Sequence, residues 1–373
     1  MKKKIIAAGH ICIDITPMFG GEKSDRITEL LVPGKLINVG AADIHTGGSV
    51  ANTGLAMKIL GADVSLMGKV GDDEFGRMIL DILGKYDAAD GMIVDKVSST
   101  SYSVVLAIPG IDRIFLHNPG ANDTFSKEDL DFDRIREATL FHFGYPPIMA
   151  KMYEEDGKEL TQIFQQVKEA GCMTSMDLAA VDENTAAGRA DWEKILENTL
   201  PYIDFFLPSA EEICYMLDRE KYHELQKKAA GRDMTEVLSV EKDIVPLADR
   251  ILDMGCRMVM IKCGAAGFYY QTKGEAAFAE LSRQSGLSLT GFADRSGFEK
   301  SYVPDAVISG TGAGDTTIAA FLTAMINGYS FERCLQLAAA TGASCVAAVD
   351  ALSGLKSFEK LEKRIDGGWK KQQ

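Results

Sequence analysis

Short apolar runs alternate with amphipathic stretches along most of this chain. Residues 5–13, 64–68, 140–143, 172–177, 203–207 and 258–262 read as strands. Several are apolar throughout, as expected where both faces of a sheet are covered. Helical periodicity falls between them, near 49–60, 74–86, 157–170, 190–200, 210–217 and 243–254. Repeated strand–helix units predict an α/β fold, a mainly parallel sheet between two helical layers. The last third ends in helices, one with Ile318, Phe321, Leu322 and Met325 along a single stripe. Two regions break the rhythm. Residues 30–46 and 101–116 are β-like, with Leu31, Leu36, Ile37, Val39 and Ile44 in one and Tyr102, Val104, Leu106, Ile108 and Phe115 in the other. On pattern alone they are hairpins at the domain edge.

Composition narrows the partners. A formal charge of −14 over 373 residues argues against nucleic acid or an anionic membrane surface, both of which need a basic face. An anionic nucleotide is not excluded, because backbone N–H groups can hold it. The 7 cysteines form no C-x-x-C pair and mostly sit in apolar runs, the pattern of buried thiols in a reducing compartment. Lys2-Lys3-Lys4 before an apolar run imitates a signal peptide, but the run is short and Asp14 follows, so a first core strand and a cytoplasmic chain are expected. The 5 histidines show no metal-ligand spacing, and neither G-x-S-x-G nor G-x-x-x-x-G-K-[ST] occurs. Residues 218–242 are charged and predict a solvated helical excursion. Residues 281–301 are polar and predict a surface loop after a strand ending near Glu280.

The most chemical stretch is Gly310-Thr311-Gly312-Ala313-Gly314-Asp315, opening a helix that runs to about Met325. Glycines expose successive N–H groups at a helix N-terminus, an anion cradle, with one carboxylate directly behind it. Alone, this is equally a glycine turn with Asp315 as a helix cap. A second stretch lies far upstream: Gly47-Gly48-Ser49-Val50-Ala51-Asn52-Thr53-Gly54, then Leu60-Gly61, then Gly68-Lys69-Val70-Gly71-Asp72-Asp73-Glu74-Phe75-Gly76. In order and separation the two resemble the signatures of the ribokinase-like (pfkB-type) carbohydrate kinases. Further landmarks stand at Pro119–Asn122, His142–Gly144, Pro208–Glu212 and Gly264–Gly267.

The resemblance implies one domain over 1–373, a three-layer α/β/α sandwich whose small β-sheet lid uses segments near 15–46 and 98–118. It implies transfer of a phosphoryl group from ATP, with Mg2+, to a hydroxyl of a small sugar or sugar acid. Asp315 would be the general base, and the amides of Gly312, Ala313 and Gly314 the anion hole. Asp14, Gly47, Gly48 and Asn52 would bind the acceptor, Asn52 by bidentate contact to vicinal hydroxyls. Lys262, Gly264, Gly267 and Thr311 would serve the nucleotide, and Glu212 would organise the magnesium through water. The Asp72–Glu74 run is read instead as a helix cap.

The chain also departs from the family pattern. Cys12 stands where ribokinase has Asn, Ser209 replaces the Asn of N-x-x-E, and Ser309 replaces an Asp that shapes a monovalent-cation site, which leaves potassium activation open. Arg113 is the one basic residue near the acceptor motif that a sugar phosphate could use. Two other functions stay open: a nucleoside kinase, with Tyr102, Phe115 and Tyr145 walling the base, and a catalytically silent scaffold. Pairing of lid sheets into a homodimer is frequent in the family, and the apolar content of 30–46 is compatible with it.

Overall fold

The structure is a computed structural model that describes residues 3–20, 27–111 and 114–372; Arg113 lies outside them. Fourteen strands are described: β1 Lys4–Gly9, β2 Cys12–Pro17, β3 Ala42–Gly47, β4 Asp63–Met67, β5 Lys69–Gly71, β6 Ile93–Asp95, β7 Tyr102–Leu106, β8 Ile114–Asn118, β9 Leu140–Gly144, β10 Met173–Met176, β11 Phe205–Phe206, β12 Met258–Lys262, β13 Gly267–Thr272 and β14 Ser296–Lys300. The main sheet runs β14-β13-β12-β11-β10-β9-β1-β4. From β12 to β4 every neighbour is parallel, and the β13–β14 edge is antiparallel.

Both faces of this sheet are covered, as the apolar strands require. Alternate residues of β1 go to opposite cores: Ile5 and Ala7 join Leu55, Leu83, Ile318 and Phe321 on one side. Ile6 and Ala8 join Phe141, Phe164, Trp192 and Phe206 on the other. The helices Ser49–Ile59, Glu74–Gly84, Ala313–Asn327 and Phe331–Cys345 form one layer, and Lys158–Glu169, Trp192–Thr199, Ala210–Leu217 and Val245–Met254 the other. The acidic run before the second helix is a cap: Asp73 accepts from Gly76 N at 2.9 Å and from Thr100 N at 2.7 Å.

A separate sheet, β3-β2-β7-β8, stands off the main one. Here the sequence reading needs correcting. Residues 5–13 are not one strand, because β1 ends at Gly9 and β2 starts at Cys12 in the other sheet. Gly9 makes the exit with φ +124°, and a Cβ there would lie 2.3 Å from the Gly144 carbonyl oxygen. Buried Asn122 then clamps the link, accepting from Ile11 N at 3.2 Å and donating to Ile11 O at 2.9 Å. In the 30–46 region only β3 is strand, preceded by a single helical turn at Ile27–Leu30.

Asp218 caps the helix Arg219–Ala229, within the charged excursion expected at 218–242. The 281–301 segment is not a loop after a strand. It begins inside the helix Glu275–Ser285, which buries Phe278 and Leu281, and ends in edge strand β14. All 7 cysteines are buried thiols, and no described helix is long and apolar enough to cross a membrane.

Candidate active site

Parallel strands present their carboxyl ends on one side, and loops there converge on a crevice. Tyr145 follows β9, Asp177 follows β10 and Lys262 ends β12. The N-terminus of the helix Ala313–Asn327 comes to the same place and brings Asp315. These four side chains, with Asp14, Asn52 and Glu212, line a cleft of about 780 Å³. A second hollow of about 820 Å³ shares Asp14, Asn52, Phe115 and Thr311 with it and runs out under the small sheet.

Asp315 is the most heavily engaged group. Asn52 Nδ2 donates to Oδ2 at 3.0 Å, and Thr53 Oγ1 donates to Oδ1 at 3.3 Å. The Tyr145 hydroxyl lies 2.9 Å from Oδ1 and 2.8 Å from Oδ2. Burial pushes the carboxyl above the ordinary aspartate range, against the lowering effect of Tyr145, Asn52, Lys262 and Thr53. One N–H of the Asn52 amide is thus bonded to a carboxylate, while the side chain also lines the cleft.

The glycine turn is explained by sterics. Gly312 has φ +73°, and a Cβ on it would lie 2.2 Å from the Ala351 Cβ. A Cβ on Gly314 would lie 3.3 Å from Lys262 Cε, so the Lys262 stem passes beside the helix start. Ala313 N donates to Gly310 O at 3.3 Å and closes the turn, so of the three amides expected to form the anion hole, this one is engaged. Ser309 Oγ accepts from Thr311 N at 3.2 Å and stands 3.1 Å from Thr311 Oγ1, ordering the turn from inside.

Lys262 Nζ donates to Asp177 Oδ1 and to Leu207 O, both at 2.6 Å. Asp177 is pushed up to about 8, chiefly by burial, with Lys262 acting against the rise and Glu212 and Asp315 adding to it. Glu212 completes a capping box with Ser209: Oε2 accepts from Ser209 N at 2.7 Å, and Glu212 N donates to Ser209 Oγ at 3.3 Å.

The small sheet supplies the other wall. Burial pushes Asp14 up, and the Cys12 thiol donates to its Oδ1 at 3.4 Å. Gly47 and Gly48 permit close approach, but to protein groups. A Cβ on Gly47 would lie 2.2 Å from Asp14 Oδ2, and one on Gly48 would lie 2.6 Å from His10 Nδ1. The His10 and His117 rings stand 5.3 Å apart. Burial and the facing His117 hold His10 well below its ordinary pKa, so it is neutral. Its Nδ1 is buried without a hydrogen-bond partner among the described residues.

Gly264 and Gly267 lie outside the cleft lining. Their φ values are +57° and +132°, and added Cβ atoms would lie 2.4 Å from Thr235 Oγ1 and 2.1 Å from Glu299 O. Asp177, His10 and His117 were not singled out from the sequence, and Tyr145 only as an aromatic wall. One signal was available for Asp177: like Asp14, it is a carboxylate directly after an apolar run.

Comparison with known proteins sets this geometry in context. The family description "pfkB family carbohydrate kinase" matches residues 3–357. An uncharacterized sugar kinase of Archaeoglobus fulgidus is 25% identical over 81% of this chain and 98% of its own length. The fructokinase of Solanum tuberosum is 30% identical over 46% of this chain, and the match spans 50% of that enzyme. Among solved structures, Arabidopsis thaliana ribokinase complexed with ribose and ATP superposes with a TM-score of 0.70 at 21% identity, covering 97% of this chain and 98% of that one. Xylella fastidiosa fructokinase with bound ATP gives 0.69 at 19% identity, covering 98% and 99%. A putative ribokinase II of E. coli in complex with ATP and Mg2+ gives 0.69 at 19% identity, also covering 98% and 99%.

Proposed function

The chain belongs to the pfkB family of carbohydrate kinases, and from that premise we propose that its cleft transfers the γ-phosphoryl group of ATP to a hydroxyl of a small sugar, with Asp315 as general base. The acceptor oxygen forms a bond to phosphorus, the bond to the β,γ-bridging oxygen breaks, and ADP leaves with that electron pair. The acceptor's proton passes to Asp315. The observation that carries the reading is a buried carboxylate behind a helix N-terminus, in the same cleft as Asp14. One group takes the proton while the helix start gathers charge on the moving phosphoryl.

In this reading the Gly312 and Gly314 amides, Thr311 and the Lys262 ammonium face the polyphosphate. Asp14 accepts hydrogen bonds from the acceptor. Asn52 acts chiefly by holding Asp315, and Gly47 and Gly48 by letting Asp14 and His10 close in. We assign Gly264 and Gly267 to turn formation. Magnesium fits the donors present: Glu212, Asp177 and Ser209 are hard oxygen groups on one side of the cleft. No group of three His, Cys, Asp or Glu side chains is gathered among the described residues to hold it alone, so the ion would be carried in on the nucleotide with water around it. Bound there, it neutralises charge on the phosphates.

Of the three walls expected for a nucleoside base, Tyr145 and Phe115 line the cleft, while Tyr102 packs on Phe75 with ring centroids 5.5 Å apart.

The test is ADP release from Mg-ATP across sugars, sugar acids and nucleosides. Asp315→Asn should lower kcat with the best acceptor by about 10²–10⁴-fold and leave the melting temperature near that of the wild type. Wild-type turnover in Asp315→Asn would remove the base assignment, and no turnover on any acceptor would favour a silent scaffold.

A further inference from the structure

Tyr145 stands in a place where an ordinary wall residue has no reason to be. Its hydroxyl donates between the two oxygens of Asp315, at 2.9 and 2.8 Å. A general base must come within about 2.6–3.2 Å of the oxygen whose proton it takes, so the phenol oxygen holds a position that an acceptor oxygen needs. Thr53 and Asn52 already bond one carboxylate oxygen each from the protein side. The phenol closes the side toward the cleft, and Asp315 is left 4% exposed.

The backbone shows that this placement is imposed. Tyr145 is left-handed, with φ 65° and ψ 40°, a conformation uncommon for a bulky residue. Pro146 and Pro147 follow at once and fix the chain beyond it. Burial and the Asp315 charge hold the phenol well above its ordinary pKa, so it stays protonated as a donor and is a poor nucleophile itself.

A kinase with ATP bound and its acceptor absent faces a side reaction. Water can take the acceptor's place, forming an O–P bond to the γ-phosphorus while the bond to ADP breaks and the water proton passes to the base. Hydrolysis of this kind needs an uncovered base as much as transfer does. We propose that Tyr145 is a positioning residue that caps Asp315 until an acceptor hydroxyl displaces it, so that the base serves the sugar and not water. The inference rests on Asp315 being the base. A sugar held by the small sheet replaces the phenol with an equivalent O–H donor, whereas a lone water lacks the other contacts that would drive the exchange.

The readout is ADP release from Mg-ATP with no acceptor, so the sugar need not be known. Tyr145→Phe keeps the ring and removes the cap. Its acceptor-free hydrolysis should rise by roughly tenfold or more over the wild type, and the ratio of hydrolysis to phosphotransfer should rise with it. Adding Asp315→Asn to Tyr145→Phe should abolish the gain. Unchanged acceptor-free hydrolysis in a folded Tyr145→Phe would overturn the proposal, as would a gain that survives Asp315→Asn. Should the variant fail to fold, crystals of wild type with a non-hydrolysable ATP analogue and a transferred sugar decide the matter. Phenol moved beyond hydrogen-bond distance of Asp315 supports displacement, and phenol still bonded to both oxygens refutes it. Failure of the kinase reading is a separate result, seen as absence of transfer to any acceptor by wild type.

Discussion

At Lys262 a buried ammonium meets a buried carboxylate, with side-chain exposures of 14% for Lys262 and 3% for Asp177. Removing one member of such a pair strands the other, at a cost of about 3–5 kcal/mol, while replacing both by apolar groups is often neutral. Once Asp177 is ionised, above about pH 8, Lys262→Met should therefore destabilise strongly, and adding Asp177→Leu should recover most of the loss. The sign with pH follows from Asp177. Its pKa in the folded state already lies above the unfolded value, and losing Lys262 raises it further. Below about pH 8 Asp177 is protonated in both folded proteins, so the deficit against wild type is level there, and it grows as pH rises past 8 and the wild-type carboxyl alone ionises. Urea midpoints of the three proteins from about pH 6 to about pH 10 check this; a deficit that does not grow above pH 8 would show that Asp177 is not the stranded group. At this scale the sequence was uneven. The sequence could single out Asp315 and Asn52 because each sits at a fixed offset in a glycine motif, and Asp14 because it directly follows an apolar run. Asp177 and Tyr145 carry no motif, and only the parallel order β10-β9-β1 brings strand ends so distant in the chain together.

One position decides where the helix that carries Asp315 begins. Gly312 combines a left-handed φ of +73° with a 2.2 Å approach to Ala351 for any added Cβ. Gly312→Ala meets both penalties; a non-glycine residue in such a conformation costs about 1–3 kcal/mol. The melting temperature should fall and kcat should drop with it, because the N–H groups and Asp315 move together. Ala351→Gly in the same chain removes the 2.2 Å contact but leaves one of 2.9 Å to the Cα and leaves the strain, so it should restore part of the activity. Full rescue would mean that φ does not matter there, and no rescue that the clash does not. Other elements separate along the same physical line. The helices near 74–86 and 210–217 were legible because a 3.6-residue apolar period marks one face, and the one near 49–60, buried on all sides, because an apolar stretch runs between glycines at both ends. Strand 5–13 was misjudged because an apolar run says nothing about which sheet it joins, and the Gly9 exit depends on contact with Gly144, distant in sequence. Strand β14 was missed because its residues Ser296–Lys300 are only partly buried or exposed and alternate weakly.

The whole molecule carries a charge problem that no single residue shows. Formal charge is −14, and the cleft that must receive a polyphosphate is lined by Asp14, Asp177, Glu212 and Asp315 against Lys262. Composition alone argues against nucleic acid, but it could not say how an anionic nucleotide would be admitted; in the proposed reading the fold does so by gathering the helix N-terminus and Lys262 on the same side. Short-range attraction at that spot coexists with repulsion from the rest of the surface. The two differ in range, since exposed charges are screened beyond about 10 Å at 0.1 M salt while buried partners are screened much less. Moderate salt should therefore remove more of the repulsion than of the attraction. Raising sodium chloride from about 20 to about 150 mM should leave KM for Mg-ATP level or lower it, by roughly twofold, where a basic phosphate-binding surface would show it rising. A steep rise in KM over that range would mean that exposed cations, and not the buried helix start with Lys262, draw the nucleotide in.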